Sequence, residues 1–281
     1  MDFTLTSCGK INWGLWLLGK RKDHYHEIFT PIQKISLCDL IRIKPSRELR
    51  VETTADIPQE ENLVYKGLKL FEEITGLKPL FEVFIEKKIP IGGGLGGGSS
   101  NLATVLNFVN NYFGNPLNRE ELLNLLASVS SDAPSFLCNG VAIATGRGEK
   151  IECLNLPRFR GIEVTLFVPN GISSPTGKIY SKTHPSMFNP KEKVDLLREK
   201  IKKLSPEEFF QIAENPLGGI FLDLHPTVKE DIDFLQKVCY KKFIVSGSGS
   251  SFYTVGSLKG DCLKALDKLK GSYKIISLVA L

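Results

Sequence analysis

The 281-residue sequence contains no apolar run approaching the ~18 to 20 residues that a membrane-spanning helix needs, because Lys, Arg, Asp or Glu interrupts every hydrophobic segment. Its first residues have no basic region, continuous apolar stretch or small-residue cleavage site, since Thr4, Thr6, Ser7 and Lys10 break up the only candidate. A secretion signal is therefore not expected, and the expected compartment is the cytoplasm. The six cysteines, Cys8, Cys38, Cys138, Cys153, Cys239 and Cys262, include no Cys-x-x-Cys pair and no nearby His cluster, so the spacing that zinc demands is missing. In a chain of this size without a signal they are expected as reduced, buried thiols. Methionine (2) and glutamine are scarce beside abundant Lys and Glu, a balance associated with thermostable proteins. Charge of one sign is lacking too: 36 Lys+Arg against 31 Asp+Glu leave +5, and no basic stripe interleaved with aromatics marks a nucleic-acid interface. Lys200, Lys202 and Lys203 share an amphipathic segment with Val194, Leu197 and Ile201, which makes them a solvated face. With 42% apolar and 24% charged residues, the chain is of ordinary globular composition and long enough to bury a large core.

Alternation from Phe3 to Leu18 predicts strand, with Lys10 and Asn12 on the same face. Further strands are predicted around Ile28–Ile43, Leu49–Thr53, Leu80–Glu86 and Val141–Thr145, with a helix over Leu63–Thr75 ended by Gly76. Asn118 with Glu121 is a capping-box signature ahead of Leu122, Leu125 and Leu126, and that helix should stop near Ser131-Asp132-Ala133-Pro134. After Pro157 the pattern restarts with a strand over Ile162–Val168. Helices follow near Lys191–Leu204, Pro206–Glu214 and Val228–Cys239, two strands within Phe243–Val255, a helix near Leu258–Leu269 and a strand at Tyr273–Val279. This order predicts an α+β fold in two domains, 1–157 and 158–281.

Six glycines occupy the seven positions 92–98, and Ser99, Ser100 and Asn101 then lead into Leu102, Val105, Leu106 and Val109 at helical spacing. A glycine loop opening a helix presents free N–H groups and the positive end of the helix dipole, and glycine lets the main chain curl around oxygens. Phosphate is the expected ligand. The loop has no Gly-Lys-Ser/Thr, which excludes a Walker A site. Gly92-x-Gly94-x-x-Gly97 also meets the dinucleotide fingerprint, but about ninety residues precede it, and a ribose carboxylate at Glu120 or Glu121 would have to leave a capped helix. His24 and His26 on one strand face could form a metal pair, with no third ligand nearby.

The motif Pro90-Ile91-Gly92-Gly93-Gly94-Leu95-Gly96-Gly97-Gly98-Ser99-Ser100 resembles the phosphate loop of the galactose, homoserine, mevalonate and phosphomevalonate (GHMP) kinases. Gly9-Lys10-Ile11-Asn12 is similar to the first motif of that family, and Val245-Ser246-Gly247-Ser248-Gly249-Ser250-Ser251 to its third. The three span nearly the whole chain in the right order. Gly19-Lys20-Arg21, Tyr25-His26-Glu27 and Ser131-Asp132-Ala133-Pro134 resemble the branch that phosphorylates the tertiary 2-hydroxyl of a cytidine diphosphate-linked methylerythritol in the non-mevalonate isoprenoid route. The resemblance implies an N-terminal domain like ribosomal protein S5 domain 2, a ferredoxin-like C-terminal domain, and ATP with Mg²⁺ as cofactors.

It also assigns roles. Asp132 would be the catalytic carboxylate, in place of the helix N-cap that its position ahead of Pro134 would otherwise suggest. Lys10 would orient Asp132 and the reacting hydroxyl, and Asn12 would hydrogen-bond the substrate. Gly92, Gly93, Gly94, Leu95, Gly96, Gly97, Gly98, Ser99 and Ser100 would hold the ATP phosphates, with a serine hydroxyl reaching Mg²⁺ and Asn62 near the adenine. Tyr25 would stack on cytosine, His26 would bond its edge and Tyr180 would form a second stacking face, with Arg147 and Thr176 near the ribose and diphosphate. No protein ligand for the metal is assigned. The partners expected are the small-molecule substrate alone, with no nucleic acid or membrane, in a monomer or weak homodimer. Asn215-Pro216-Leu217 departs from the family's Asn-Asp-Leu. A kinase for another alcohol, a nicotinamide-dependent oxidoreductase and an RNA-binding module are the rival readings.

Overall fold

A computed structural model describes residues 2–281. The first sheet is organised by one long strand. After β1 (Phe3–Asn12) and β2 (Trp16–Lys20), β3 (His26–Pro45) runs for 20 residues, and it pairs antiparallel with β1 and β2 along one edge. Along its other edge lie β5 (Phe81–Glu86) and β6 (Val141–Gly146), flanked in turn by β4 (Arg50–Thr53) and β7 (Lys150–Leu154). The predicted continuous strand from Phe3 to Leu18 is broken at Trp13-Gly14-Leu15, where Leu15 N–H bonds the Glu214 carbonyl instead of the sheet.

Three helices cover one face of this sheet. α1 (Leu63–Thr75) begins where the Asn62 side chain accepts from Val64 N–H, a cap not read from the sequence, and ends at the left-handed Gly76, as predicted. α2 (Gly97–Tyr112) and α3 (Arg119–Val129) follow, the latter with the complete Asn118/Glu121 capping box. Leu102, Val105, Leu106 and Val109 of α2 are fully buried against Leu68, Phe71 and Val83. Each such side chain contributes roughly 1.5 to 3 kcal/mol, enough to fix the helix whose first turn carries the site.

The second sheet is built from β8 (Glu163–Pro169), β9 (Ile244–Val245), β10 (Phe252–Val255) and β11 (Tyr273–Val279), in the order β11-β8-β10-β9 and antiparallel throughout. Between β8 and β9 lie α4 (Thr176–Tyr180), α5 (Lys191–Lys203), α6 (Pro206–Gln211), α7 (Pro216–Leu224) and α8 (Pro226–Cys239), and α9 (Asp261–Leu269) joins β10 to β11. Strand, helices, two strands, helix, strand is the ferredoxin-like pattern. The two sheets share a core: Trp13 and Trp16 from the first region pack edge-on against Phe159, Phe209 and Phe210. No helix among the described residues is long and apolar enough to cross a membrane.

The expectation of reduced, buried thiols is overturned. All six cysteines are paired, as Cys8–Cys38, Cys138–Cys153 and Cys239–Cys262, and Cys153 is exposed. Residues scattered along the chain are juxtaposed by the fold. Cys8 and Cys38 are cross-strand partners in the β1/β3 register. Cys138 leaves the turn after Asp132 beside β7, and Cys239 ends α8 next to the first turn of α9.

Candidate active site

A cavity of about 460 Å³ opens between the two sheets, lined by residues of all three glycine- or lysine-bearing motifs. Its floor is the end of β1. Strand alternation puts Lys10 and Asn12 on one face, and the Lys10 ammonium donates to Asn12 Oδ1 at 2.7 Å while standing 3.4 Å from the Asp132 carboxylate. Lys10 is buried, whereas the Asp132 side chain keeps 38% of its surface open to the cavity. Asp132 is not a cap: its side chain accepts no bond from the following turn, Ala133–Leu137. Asn12 is more committed than expected. Its Nδ2 donates to Thr30 Oγ1, and Thr30 in turn donates to the Gly14 carbonyl, so both ends of the Asn12 amide are already engaged.

The glycine loop forms the second wall. Gly96 takes φ 65° as the N-cap of α2, and a β-carbon there would collide with Phe136 and the Lys10 stem. The first-turn N–H groups of Gly97, Gly98 and Ser99 precede the first intrahelical bond and face the cavity end of the dipole. Ser100 departs from its expected role. Its N–H is taken by the Gly96 carbonyl, and its hydroxyl bonds the Cys8 carbonyl and Ser7, so it anchors the helix to β1. Among the described residues Ser99 Oγ meets only Ser130 Oγ, at 2.7 Å. Asn101 was not singled out from the sequence; it lines the cavity, and its buried side-chain oxygen has no hydrogen-bond partner among the described residues.

Lys87 was also missed. It directly follows β5 beside Gly97 and is ion-paired with the buried Asp39, which accepts as well from the N–H groups of Lys88 and Ile89. The readable sign was a single carboxylate within the apolar run of β3.

The third motif closes over the loop. The carbonyl oxygens of Gly92 and Gly93 accept from Ser250 and Ser251 N–H, and that of Gly94 from the Ser246 hydroxyl. Any β-carbon at Gly94 would strike the Ser246 carbonyl. Asn215 supports this arrangement from below, donating to the carbonyls of Val245 and Gly247 while capping α7 through Gly218 N–H. Pro216 sits at the first position of α7, where no N–H is needed, so the departure from Asn-Asp-Leu leaves the support intact.

Of the residues expected at the base, Tyr180 lines the cavity, and Tyr25 and His26 are not among its lining residues. His26 is buried against Tyr180 and Phe188, with ring centroids 5.2 and 6.1 Å away. Thr183 donates its hydroxyl to the Tyr180 carbonyl, so its oxygen accepts at 2.7 Å from His26 Nε2. That leaves Nδ1 as the acceptor of a neutral ring. Burial, and then the charge of Lys20, lower the His26 pKa from its ordinary value. Tyr25 is half exposed with the Arg147 guanidinium 5.0 Å over its ring, and Arg147 is itself tied to the Ala127 carbonyl. Burial, and then the Asp132 carboxylate, push the Tyr180 phenol up, and both residues line the cavity. Thr176 Oγ1 lies 3.0 Å from Ser248 Oγ on the cavity rim, and Asn62 lines the opposite end by α1. Phe188 and Thr183, outside any motif quoted from the sequence, complete the His26 surround.

The loop does not belong to a dinucleotide fold. It follows β5, which is antiparallel to β3 in a sheet with no repeating parallel βαβ unit.

Comparison with known proteins agrees with this geometry. Residues 62–140 match the model of the GHMP kinases N terminal domain. The chain is 42% identical over 262 residues to the 4-diphosphocytidyl-2-C-methyl-D-erythritol kinase of Sulfurihydrogenibium sp., covering 93% of this chain and 94% of the relative. It is 41% identical to the enzyme of the same name from Persephonella marina, covering 98% of both. A crystal structure of 4-(cytidine 5'-diphospho)-2C-methyl-D-erythritol kinase superposes with a TM-score of 0.78 at 28% identity, over 99% of each chain. Motifs, cavity and relatives converge, and the chain belongs to the 4-diphosphocytidyl-2-C-methyl-D-erythritol kinases, a branch of the GHMP kinase family.

Proposed function

We propose that this chain transfers the γ-phosphoryl group of ATP to the 2-hydroxyl of 4-diphosphocytidyl-2-C-methyl-D-erythritol, giving the 2-phosphate and ADP in non-mevalonate isoprenoid biosynthesis. The observation that carries the reading is the Lys10–Asp132 pair, 3.4 Å apart, in a cavity lined by the glycine loop and by Tyr180, against which His26 packs. A tertiary alcohol is far too weak an acid for a carboxylate to ionise it in the ground state. Asp132 therefore accepts the proton late, as the oxygen bonds to phosphorus, and most of the acceleration comes from positioning and charge stabilisation. Lys10 holds Asp132 in place and offsets negative charge on the transferring group. The Gly97, Gly98 and Ser99 amides cradle the phosphates.

Mg²⁺ fits the residues present. It takes one or two protein oxygens and otherwise uses water and phosphate, and the unpartnered Asn101 oxygen and the Ser99 hydroxyl supply hard oxygen ligands at the loop. When bound, the ion neutralises charge on the phosphates. At the other end Nδ1 of neutral His26 accepts from the cytosine amino group, and Tyr25 and Tyr180 offer their faces to the base. Arg147 and Thr176 lie where the diphosphate and ribose would run. We place residues 1–157 as the domain carrying the nucleotide and 158–281 as the domain that closes over the substrate. A cytoplasmic location accords with ATP as phosphoryl donor, and intracellular disulfides accord with the thermostable composition.

The test is ADP release with Mg-ATP and the cytidylated alcohol, beside uncytidylated methylerythritol, mevalonate and homoserine. Turnover is expected only with the first. Asp132→Asn should lower kcat on the order of 10²- to 10⁴-fold with KM little changed. Equal turnover on an uncytidylated alcohol would remove the cytosine reading, and an Asp132→Asn enzyme within threefold of the original would remove the proton acceptor.

A further inference from the structure

Among the six cysteines only Cys153 is exposed; Cys8, Cys38 and Cys239 are partly covered, and Cys138 and Cys262 are buried. Cys153 stands on β7, the edge strand of the first sheet, and its partner Cys138 lies beneath β6 among Ile32, Ala142 and Ala144. Their bridge closes the open end of the β6/β7 hairpin, where Val141 pairs with Leu154. Arg119, the first residue of α3, brings its guanidinium to 3.9 Å from the Cys153 sulfur, and no ion pair engages it among the described residues. A cation beside an exposed sulfur attracts an incoming thiolate and stabilises one left behind. The buried end of the bridge leads to the candidate active site. Cys138 N–H donates to the Ser135 carbonyl at 3.1 Å, and Ser135 donates to the Asp132 carbonyl from its N–H at 3.2 Å and its hydroxyl at 2.7 Å. A short chain of bonds therefore joins the disulfide to the residue whose carboxylate faces Lys10.

We propose that Cys153 is a thiol–disulfide exchange site for a dithiol, and that the state of its bridge sets how firmly Asp132 is positioned. A thiolate of the dithiol attacks Cys153 Sγ, the bond to Cys138 breaks, and Cys138 leaves as a thiolate that takes a proton from water. The second thiol of the donor then gives up its proton and attacks the mixed disulfide. The donor departs as its own disulfide, and Cys153 is released as a thiolate beside Arg119. Two electrons have passed from the donor to the cysteine pair. Reduction unties the turn from β7 while Ala133 and Phe136 stay packed in the core, so Asp132 loosens without unfolding of the domain. The effect on turnover rests on the kinase reading above; the exchange itself does not.

The probe is dithiothreitol, added to the full chain, with samples alkylated at intervals, peptide-mapped for each cysteine and assayed for ADP release. Cys138 and Cys153 should be labelled about ten times faster than the other four cysteines. In step with that labelling kcat should fall about tenfold with KM for either substrate little changed, and reoxidation should restore it. Arg119→Gln should slow the labelling about threefold or more and leave kcat of the bridged enzyme unchanged. Cys138→Ser combined with Cys153→Ser should start at the lowered kcat and ignore the dithiol; should it fold poorly, the time course and Arg119→Gln still decide. A protein Cys-x-x-Cys dithiol at equal thiol concentration separates the sources: faster exchange than dithiothreitol assigns a protein donor, and equal or slower exchange a small-molecule one. Labelling of the other four cysteines as early, an Arg119→Gln chain reduced as fast as the original, or a kcat indifferent to the bridge would overturn the proposal. A bridged chain with no turnover on the cytidylated alcohol would instead overturn the kinase reading, and the order of labelling would still report on the exchange site.

Discussion

Reduction of the three disulfides should cost this protein a large share of its stability. The bridges close segments with sequence separations of 30, 15 and 23 residues, and no segment overlaps another. Each therefore restricts a different part of the unfolded chain, and their contributions add to a first approximation. In the chain-entropy model, loops of these lengths are worth about 3 to 4 kcal/mol each, and native cross-links commonly deliver ~2 to 4. The sum is about 6 to 12 kcal/mol, comparable with the whole stability of an ordinary domain. At about 2.1 cal/mol/K of unfolding entropy per residue, 281 residues lose roughly 1.7 °C per kcal/mol. Full reduction should then lower Tm by about 10 to 20 °C. The assay has two parts. Thiols are trapped by alkylation at the moment of lysis and counted in denaturant, and the purified protein is melted with and without a phosphine reductant. No free thiol before reduction, six after it and a Tm drop in this range are expected. Six alkylated cysteines at lysis, or coincident melting curves, would refute the reasoning.

Three further outcomes follow from the site. Tyr25→Ala removes a half-exposed stacking face worth about 1 to 3 kcal/mol per base, so KM for the cytidylated alcohol should rise about tenfold or more while KM for ATP stays fixed; steady-state kinetics with each substrate varied in turn check this. His26 is held below the ordinary histidine value by burial and by Lys20. Its neutral form is favoured by the fold, so the stability it contributes is complete above ~6.5 and is lost as pH falls from there through the lower folded value. Substrate KM should climb over the same window, and an NMR titration of the ring should show an apparent pKa below that of a model peptide. Gly94→Ala places a methyl group against the Ser246 carbonyl at φ 71°. It should destabilise the chain by at least ~1 to 3 kcal/mol, read as a lower guanidinium midpoint.

Much of this was legible in the sequence wherever local chemistry decides structure. Gly76 and the Asn118/Glu121 pair mark helix ends because caps act within four residues, and α1 ends and α3 starts where those residues place them. The Lys10/Asn12 face follows from strand alternation alone. What escaped depends on partners far along the chain. The break at Trp13 exists because Leu15 bonds Glu214, and the roles of Thr183 and Phe188 exist only because the loop after α4 folds back over β3. α7 was overlooked because Pro216, which opens it, and two glycines weaken its helical signal. The cysteine pairs needed the strand register and the helix packing, neither of which composition reports. Ser100 looked like a phosphate ligand in the motif, but the Gly96 carbonyl had already claimed its N–H.

The grip of the third motif on the phosphate loop has a hereditary side. Ser250 and Ser251 hold Gly92 and Gly93 by main-chain groups at both ends of each bond, so their strength does not depend on which side chains those two serines carry. Both serines are buried, so over generations another small residue can stand at either position with little effect on the contact itself. Length is a different matter: one residue inserted into or deleted from either loop shifts every donor past its acceptor at once. A chimera joining the first 157 residues of this chain to the second half of a relative should therefore assemble when both loops keep their residue counts. It should fail when they do not, however similar the remaining sequence.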